Sequence, residues 1–184
     1  STIINSAGGP VLAAGPFTDV SCAGGSDGTA AVIVSSGNGP FTFDWLPYGG
    51  ITANATGLTP GNYKVSVTDI NGCSTTLNFD IEEPDPLVVN NLTTPASCNG
   101  GNNGTADIDA QGGTLPYSYD WSPGGILTAN RINLQAGNYD VTVTDSKGCT
   151  EITTAIVSEP SAVAGTLTPT DATCFGGTNG SADI

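Results

Sequence analysis

Apolar and polar residues alternate one for one along most of this chain, in short runs broken by glycine, proline and asparagine. Over 105–110 the apolar members are Ala106, Ile108 and Ala110; over 117–121 they are Tyr117, Tyr119 and Trp121; over 138–145 they are Tyr139, Val141 and Val143. Phe41, Phe43 and Trp45 repeat the second pattern earlier in the chain. A period of two sends successive side chains to opposite faces, so each run predicts a half-buried strand. Further strands are expected over 87–93, around 126–132 and from 149 to about 157, and no stretch carries a helical period. The glycine-rich segment 98–104 reads as a loop. The sequences "DING" (69–72) and "DSKG" (145–148) read as tight hairpins. Pro160, after Glu159, ends the pattern because proline cannot donate to a continuing ladder.

The whole pattern recurs. Cysteines stand at 22, 73, 98, 149 and 174, so that Cys22 to Cys98, Cys98 to Cys174 and Cys73 to Cys149 are each 76 residues. A shift of 76 lays "CAGGSDGTA" over "CNGGNNGTA" and "CFGGTNGSA", Trp45 over Trp121, and "LTPGNYKVSVTDINGC" over "LQAGNYDVTVTDSKGC". About 28 of 76 positions are identical between the two full copies. Such a period is the mark of a repeat architecture. The closing "CFGGTNGSADI" opens a third copy and predicts a natural chain that continues beyond it.

About seven short strands per copy, with turn signals every 8–12 residues, predict an all-β fold of tandem immunoglobulin-like β-sandwich repeats, 76 residues each. The expected division is a leader or end of a preceding repeat at 1–9, a first sandwich at 10–84, a second at 85–160 and the truncated start of a third at 161–184. Trp45 and Trp121 on the third strands are expected in the cores, although each follows an aspartate (Asp44, Asp120) in the manner of a sugar-stacking platform. Tyr63 and Tyr139, in Leu-x-x-Gly-x-Tyr sequences, are expected to bond back to the preceding corner as such tyrosines do in sandwiches.

Charge and chemistry narrow the function. Seventeen acidic residues face three basic ones, Lys64, Arg131 and Lys147, for a formal charge of −14. Such a surface repels phosphate backbones and anionic lipid heads, so neither nucleic acid nor membrane insertion is expected. No histidine is present, which removes Ser-His and Cys-His catalysis within this chain. No enzymatic activity and no cofactor are expected; calcium is a weak expectation, with Glu82, Glu83 and Asp85 as the best candidate ligands because hard carboxylate oxygens suit it. The cysteines read as disulfides of an oxidising, extracellular setting. Pairing within the repeat, Cys22–Cys73 and Cys98–Cys149, is the preferred scheme, with the partner of Cys174 missing. A Cys22–Cys149 bond across the repeat junction is the second scheme, because sandwich topology separates the first pair, and free thiols are the third.

Taken together, "C-x-G-G-x-x-G-[TS]-A", "P-[FY]-x-[FY]-D-W" and "G-N-Y-x-V-x-V-T-D-x-x-G-C" resemble the SprB repeat, found in very large cell-surface adhesins of gliding Bacteroidota. The resemblance covers both copies and the third start. It implies an extracellular protein exported by the type IX secretion system and carried along the cell surface by the gliding machinery, and it supplies no catalytic residues. The leading expectation is a stalk segment of a secreted, surface-attached adhesin whose partners are neighbouring repeats of the same chain. Two alternatives are a module binding surface polysaccharide or substratum, and a filament subunit in which "STIINS" (1–6) acts as an inserted strand.

Overall fold

The computed structural model describes residues 8–183; the segment "STIINS" lies outside the described residues. Two six-stranded units follow one another. The first contains β1 (Val11–Thr18), β2 (Gly28–Ser36), β3 (Thr42–Leu46), β4 (Asn54–Leu58), β5 (Gly61–Thr68) and β6 (Ser74–Ile81). The second contains β7 (Val88–Thr94), β8 (Gly104–Gln111), β9 (Ser118–Ser122), β10 (Asn130–Leu134), β11 (Gly137–Thr144) and β12 (Thr150–Val157). Strand ends in the two units agree within one residue of a 76-residue shift. A short pair, β13 (Thr168–Thr170) and β14 (Ser181–Asp183), starts the third copy.

Each unit is a sandwich of two three-stranded antiparallel sheets, ordered β1-β2-β4 and β3-β5-β6 in the first and β7-β8-β10 and β9-β11-β12 in the second. This is the ABE/CFG arrangement of an immunoglobulin-like sandwich. Six strands form where about seven were expected, because strand D is missing: residues 47–53 cross directly from β3 to β4 without a ladder of their own.

The alternation sets the faces. Trp45, Leu58, Val65, Val67 and Ile81 meet in the first core, and Trp121, Val141, Val143, Ala155 and Val157 in the second. Each fully buried aliphatic side chain contributes about 1.5–3 kcal/mol. The central ladders are unbroken, from Gly61↔Ile81 to Thr68↔Ser74 and from Gly137↔Val157 to Thr144↔Thr150. One bulge recurs at the same place in both units. In β4 the register shifts around Gly57, with φ 71°, and in β10 around Asn133, with φ 58°. A bulge residue in the left-handed region calls for Gly, with Asn the tolerated substitute.

The cores differ in one exchange. Phe79 of the first unit stacks on Trp45 at 5.4 Å between ring centroids, and its counterpart in the second unit is Ala155. There Arg131, standing where the first unit has Ala55, lays its guanidinium over Trp121 at 5.8 Å and Tyr139 at 4.8 Å. Large and small side chains have traded sheets, so the space above each Trp stays filled.

Candidate functional site: the junction between repeats

Local hydrogen bonds build the cysteine loop before any neighbour is involved. The Ser21 N–H donates to Asp27 Oδ1 at 2.9 Å and the Gly25 N–H to the Cys22 carbonyl at 2.8 Å. In the second copy the Ser97 N–H donates to Asn103 Oδ1 and the Gly101 N–H to the Cys98 carbonyl. In the third, Thr173 and Asn179, with Gly177 and Cys174, make the same pair of bonds. Asp and Asn both serve because only the acceptor oxygen is used for this bond.

The loop is then tied to the far end of its own sandwich. The Val20 N–H donates to the Glu82 carbonyl at 3.2 Å, the Glu82 N–H to Asp19 Oδ1 at 2.9 Å, and the Gly24 N–H to Glu83 Oε2 at 2.6 Å. In the second copy the Gly100 N–H donates to Glu159 Oε2 at 2.7 Å, and the Asn99 side chain donates to Glu159 Oε1. Glu83 and Glu159 therefore act as clamps holding the cysteine loop on the last strand. Glu83 was an expected calcium candidate beside Glu82 and Asp85; its carboxylate is engaged by the loop, and the Asp85 carbonyl accepts the Gly113 N–H. Among the described residues no group of three or more His, Cys, Asp or Glu side chains is placed to hold a metal ion.

The other half of the junction is the β11–β12 hairpin. Asp145 is buried at its start, 5% exposed. Its Oδ1 accepts the Lys147 and Cys149 N–H groups at 2.8 and 2.9 Å, and its Oδ2 accepts the Thr114 N–H at 2.8 Å. Burial pushes the Asp145 pKa up, but the backbone N–H groups of Thr114, Cys149, Lys147 and Gly148 outweigh it and hold the carboxyl below its ordinary value. The third bond depends on Gly112 and Gly113, whose φ values of 72° and 56° bring the loop down onto Asp145. A Cβ on Gly113 would sit 2.8 Å from Asp145 Oδ2. Asp69 does the same in the first unit for Asn71 and Cys73, but its Oδ2 is buried without a hydrogen-bond partner among the described residues. The sequence marks both aspartates only as the first residue of a hairpin turn, Asp-x-x-Gly-Cys in each copy, and gives no sign that they are buried acceptors.

The two halves meet covalently. Cys22 is disulfide-bonded to Cys149, with Cα atoms 5.7 Å apart and a sequence separation of 127. This corrects the preferred within-repeat pairing of Cys22 with Cys73 and of Cys98 with Cys149. Cys73 immediately precedes β6, while the loop of Cys22 is tied to Glu82 and Glu83 just past its end. Eight residues rising ~3.3 Å each separate those ends by about 26 Å, against the roughly 7 Å that a disulfide allows. The same distance divides Cys98 from Cys149 along β12. Around the bond, Thr114 and Lys147 of the second unit face Thr18–Ser21 and Glu82–Pro84 of the first across a cleft. Pro86, Leu87 and Gly148–Glu151 flank Cys22 and Ala23. One of the three basic residues thus sits over an acidic rim. Hydrogen bonds from Ser21 lower the Asp27 pKa, and the charge of Lys147 adds to them.

The remaining signature residues lie in the sandwiches. Trp45 and Trp121 are 2% and 1% exposed, and their Nε1–H groups donate to the Thr52 and Thr128 carbonyls. The Tyr63 hydroxyl accepts the Thr59 N–H at 3.1 Å, and the Tyr139 hydroxyl donates to the Gln135 carbonyl at 3.0 Å, each four residues back at the corner. Cys98 and Cys174 are exposed thiols.

Comparison with known proteins agrees with the period. The family model described as SprB repeat matches residues 14–50 and again 90–125, the second match beginning 76 residues after the first. No curated protein matches the chain. Among solved structures, the C-terminal 282-residue fragment of intimin in complex with the translocated intimin receptor is 18% identical, with a TM-score of 0.44 over 83% of this chain and 64% of that one. Domains 1–6 of the surface layer protein SbsC are 15% identical, with a TM-score of 0.37 over 89% of this chain and 30% of that one. Domains 3–5 of Drosophila OTK are 13% identical, with a TM-score of 0.40 over 82% and 62%. The chain spans less than two thirds of each of these three.

Proposed function

We propose that this chain, which carries two SprB repeats, is a stalk segment of an extracellular, cell-surface repeat adhesin. Its work is mechanical and spatial: to set a distal binding region away from the cell and to keep its shape under tension. The observation that carries the reading is the Cys22–Cys149 bond, which joins the loop of one sandwich to the hairpin of the next. A short peptide linker alone leaves neighbouring domains free to swing. A second covalent tie at the hairpin turns that hinge into a two-point attachment. In a solenoid-like array each repeat contacts its neighbours, so length grows without redesign of the unit. Export through the type IX system and transport by the gliding machinery belong to the same reading and rest on the family resemblance alone.

The test combines surface labelling with scattering. Antibodies raised against the chain are expected to label intact cells, and small-angle X-ray scattering of the oxidised chain is expected to fit a rod two sandwiches long that becomes more flexible on reduction. Absence from the cell surface overturns the reading. So does saturable glycan binding that is abolished by substitutions in the loops of an isolated chain, which supports the polysaccharide-binding alternative.

A further inference from the structure

We infer that Cys98 is the receiving half of a second inter-repeat lock, and that its partner is the hairpin cysteine of a further SprB repeat. The inference rests on the stalk reading, since it needs another repeat after the second.

Three observations carry it. Cys98 stands one period after Cys22, and Cys22 is seen bonded to the hairpin of the following sandwich. The loop around Cys98 already has the receiving form: the Ser97–Asn103 and Gly101–Cys98 bonds repeat those around Cys22, and Glu159 clamps Gly100 as Glu83 clamps Gly24. A cleft lined by Ser97, Asn99 and Pro160–Val163 borders Cys98, in the place where Pro86, Leu87 and the hairpin residues Gly148–Glu151 flank Cys22. The rim has also changed charge. Asp19 and Glu82, which face Lys147 at the first junction, become Pro95 and Ser158 at the second. The hairpin received at Cys98 therefore has less need of a lysine at its turn.

Bond formation is an oxidation and needs an acceptor of two electrons, here a small-molecule or protein disulfide. The Cys98 thiolate attacks that disulfide, forming a mixed disulfide and expelling one thiolate. The hairpin thiolate then attacks the Cys98 sulfur and expels the second. Two protein thiols are oxidised, one acceptor disulfide is reduced to two thiols, and the two thiol protons end on the acceptor.

The test is a lengthened chain, residues 1–173 followed directly by a second copy of 98–184, which adds one period in register. It is held in oxidised and reduced glutathione, alkylated and digested without reduction. The Cys98 peptide is expected to be linked to the appended copy of Cys149, with Cys98 alkylation down about tenfold from that of the original chain, while Cys22–Cys149 persists. Alkylatable Cys98 beside a folded appended repeat, shown by the buried emission of its tryptophan, overturns the inference and leaves the stalk reading to its own test. A second chain removes dependence on the appended repeat's folding. In the original chain, residues 20–27 are replaced by the sequence of 96–103, so that the Cys98 loop occupies the first junction. That loop is expected to bond Cys149, and failure with both sandwiches folded overturns the inference equally.

Discussion

Asp145 and Asp69 occupy equivalent hairpin positions but hold different numbers of N–H groups, so the same substitution should cost differently at each. In Asp145→Asn the retained oxygen still accepts the Lys147 and Cys149 N–H groups, now as neutral bonds. The new amide nitrogen faces the Thr114 N–H, a donor against a donor. Neutralising the acceptor costs roughly 1 kcal/mol over the two retained bonds and a buried unpaired donor costs roughly 1–3 kcal/mol, so the total is about 3 kcal/mol. For a domain of this size each kcal/mol moves the melting temperature by roughly 4–8 °C, which places the loss at about 12–24 °C for the second sandwich. In Asp69→Asn the amide nitrogen replaces an oxygen that holds no partner, and both bonds to Asn71 and Cys73 survive. The cost there is expected to stay near 1 kcal/mol or less, as one neutral bond replaces a charged one at each donor. Scanning calorimetry with peptide-resolved hydrogen exchange assigns the loss to one sandwich or the other. Equal losses at the two sites, or a larger one at Asp69, would refute the claim that the Thr114 bond sets the difference.

Other outcomes follow from the same geometry. Because the folded pKa of Asp145 is held below its ordinary value, its contribution is complete above the unfolded value near about 3.9 and is lost as pH falls through the lower folded one; acid titration of the second sandwich should show this loss, and Asp145→Asn should remove it. Arg131→Ala empties the space over Trp121 and is expected to cost about 2–4 kcal/mol, of the order of a large-to-small core substitution. Adding Ala155→Phe, which restores the ring found at Phe79, should recover at least half of that in denaturant unfolding, and simple additivity of the two costs would show that the residues do not share one space. Cys149→Ser opens a loop of 127 residues, so concerted unfolding of the two sandwiches should lose about 5 kcal/mol in the chain-entropy model. Cleavage of the 82–87 segment by a nonspecific protease should also accelerate, and an unchanged unfolding midpoint and cleavage rate would count against a closed junction.

Much of this architecture lies open in the one-dimensional pattern. Strand positions, the parity that buries Trp45 and Trp121, and the 76-residue period follow from alternation and turn chemistry, which are local. The corner bonds of Tyr63 and Tyr139 are local too, reaching only four residues back. The missing strand D was not legible, because 47–53 contain turn residues that suit a crossing or a short strand equally. Glu83 and Glu159 left a trace, a glutamate kept at both junctions while Glu82 and Asp85 give way to Ser158 and Ser161. That trace pointed to cation binding as readily as to a backbone clamp.

The sequence by itself determined that this is a β-sandwich array with two cysteines per unit, since hydrophobic period and residue spacing are properties of the chain alone. Only the tertiary structure decided which cysteines meet. A disulfide is selected by proximity of a few ångströms, and the end at which a loop lies depends on strand order across two sheets. Once β6 stands between Cys73 and the loop of Cys22, the bond must leave the repeat, and the cysteines become ties between sandwiches.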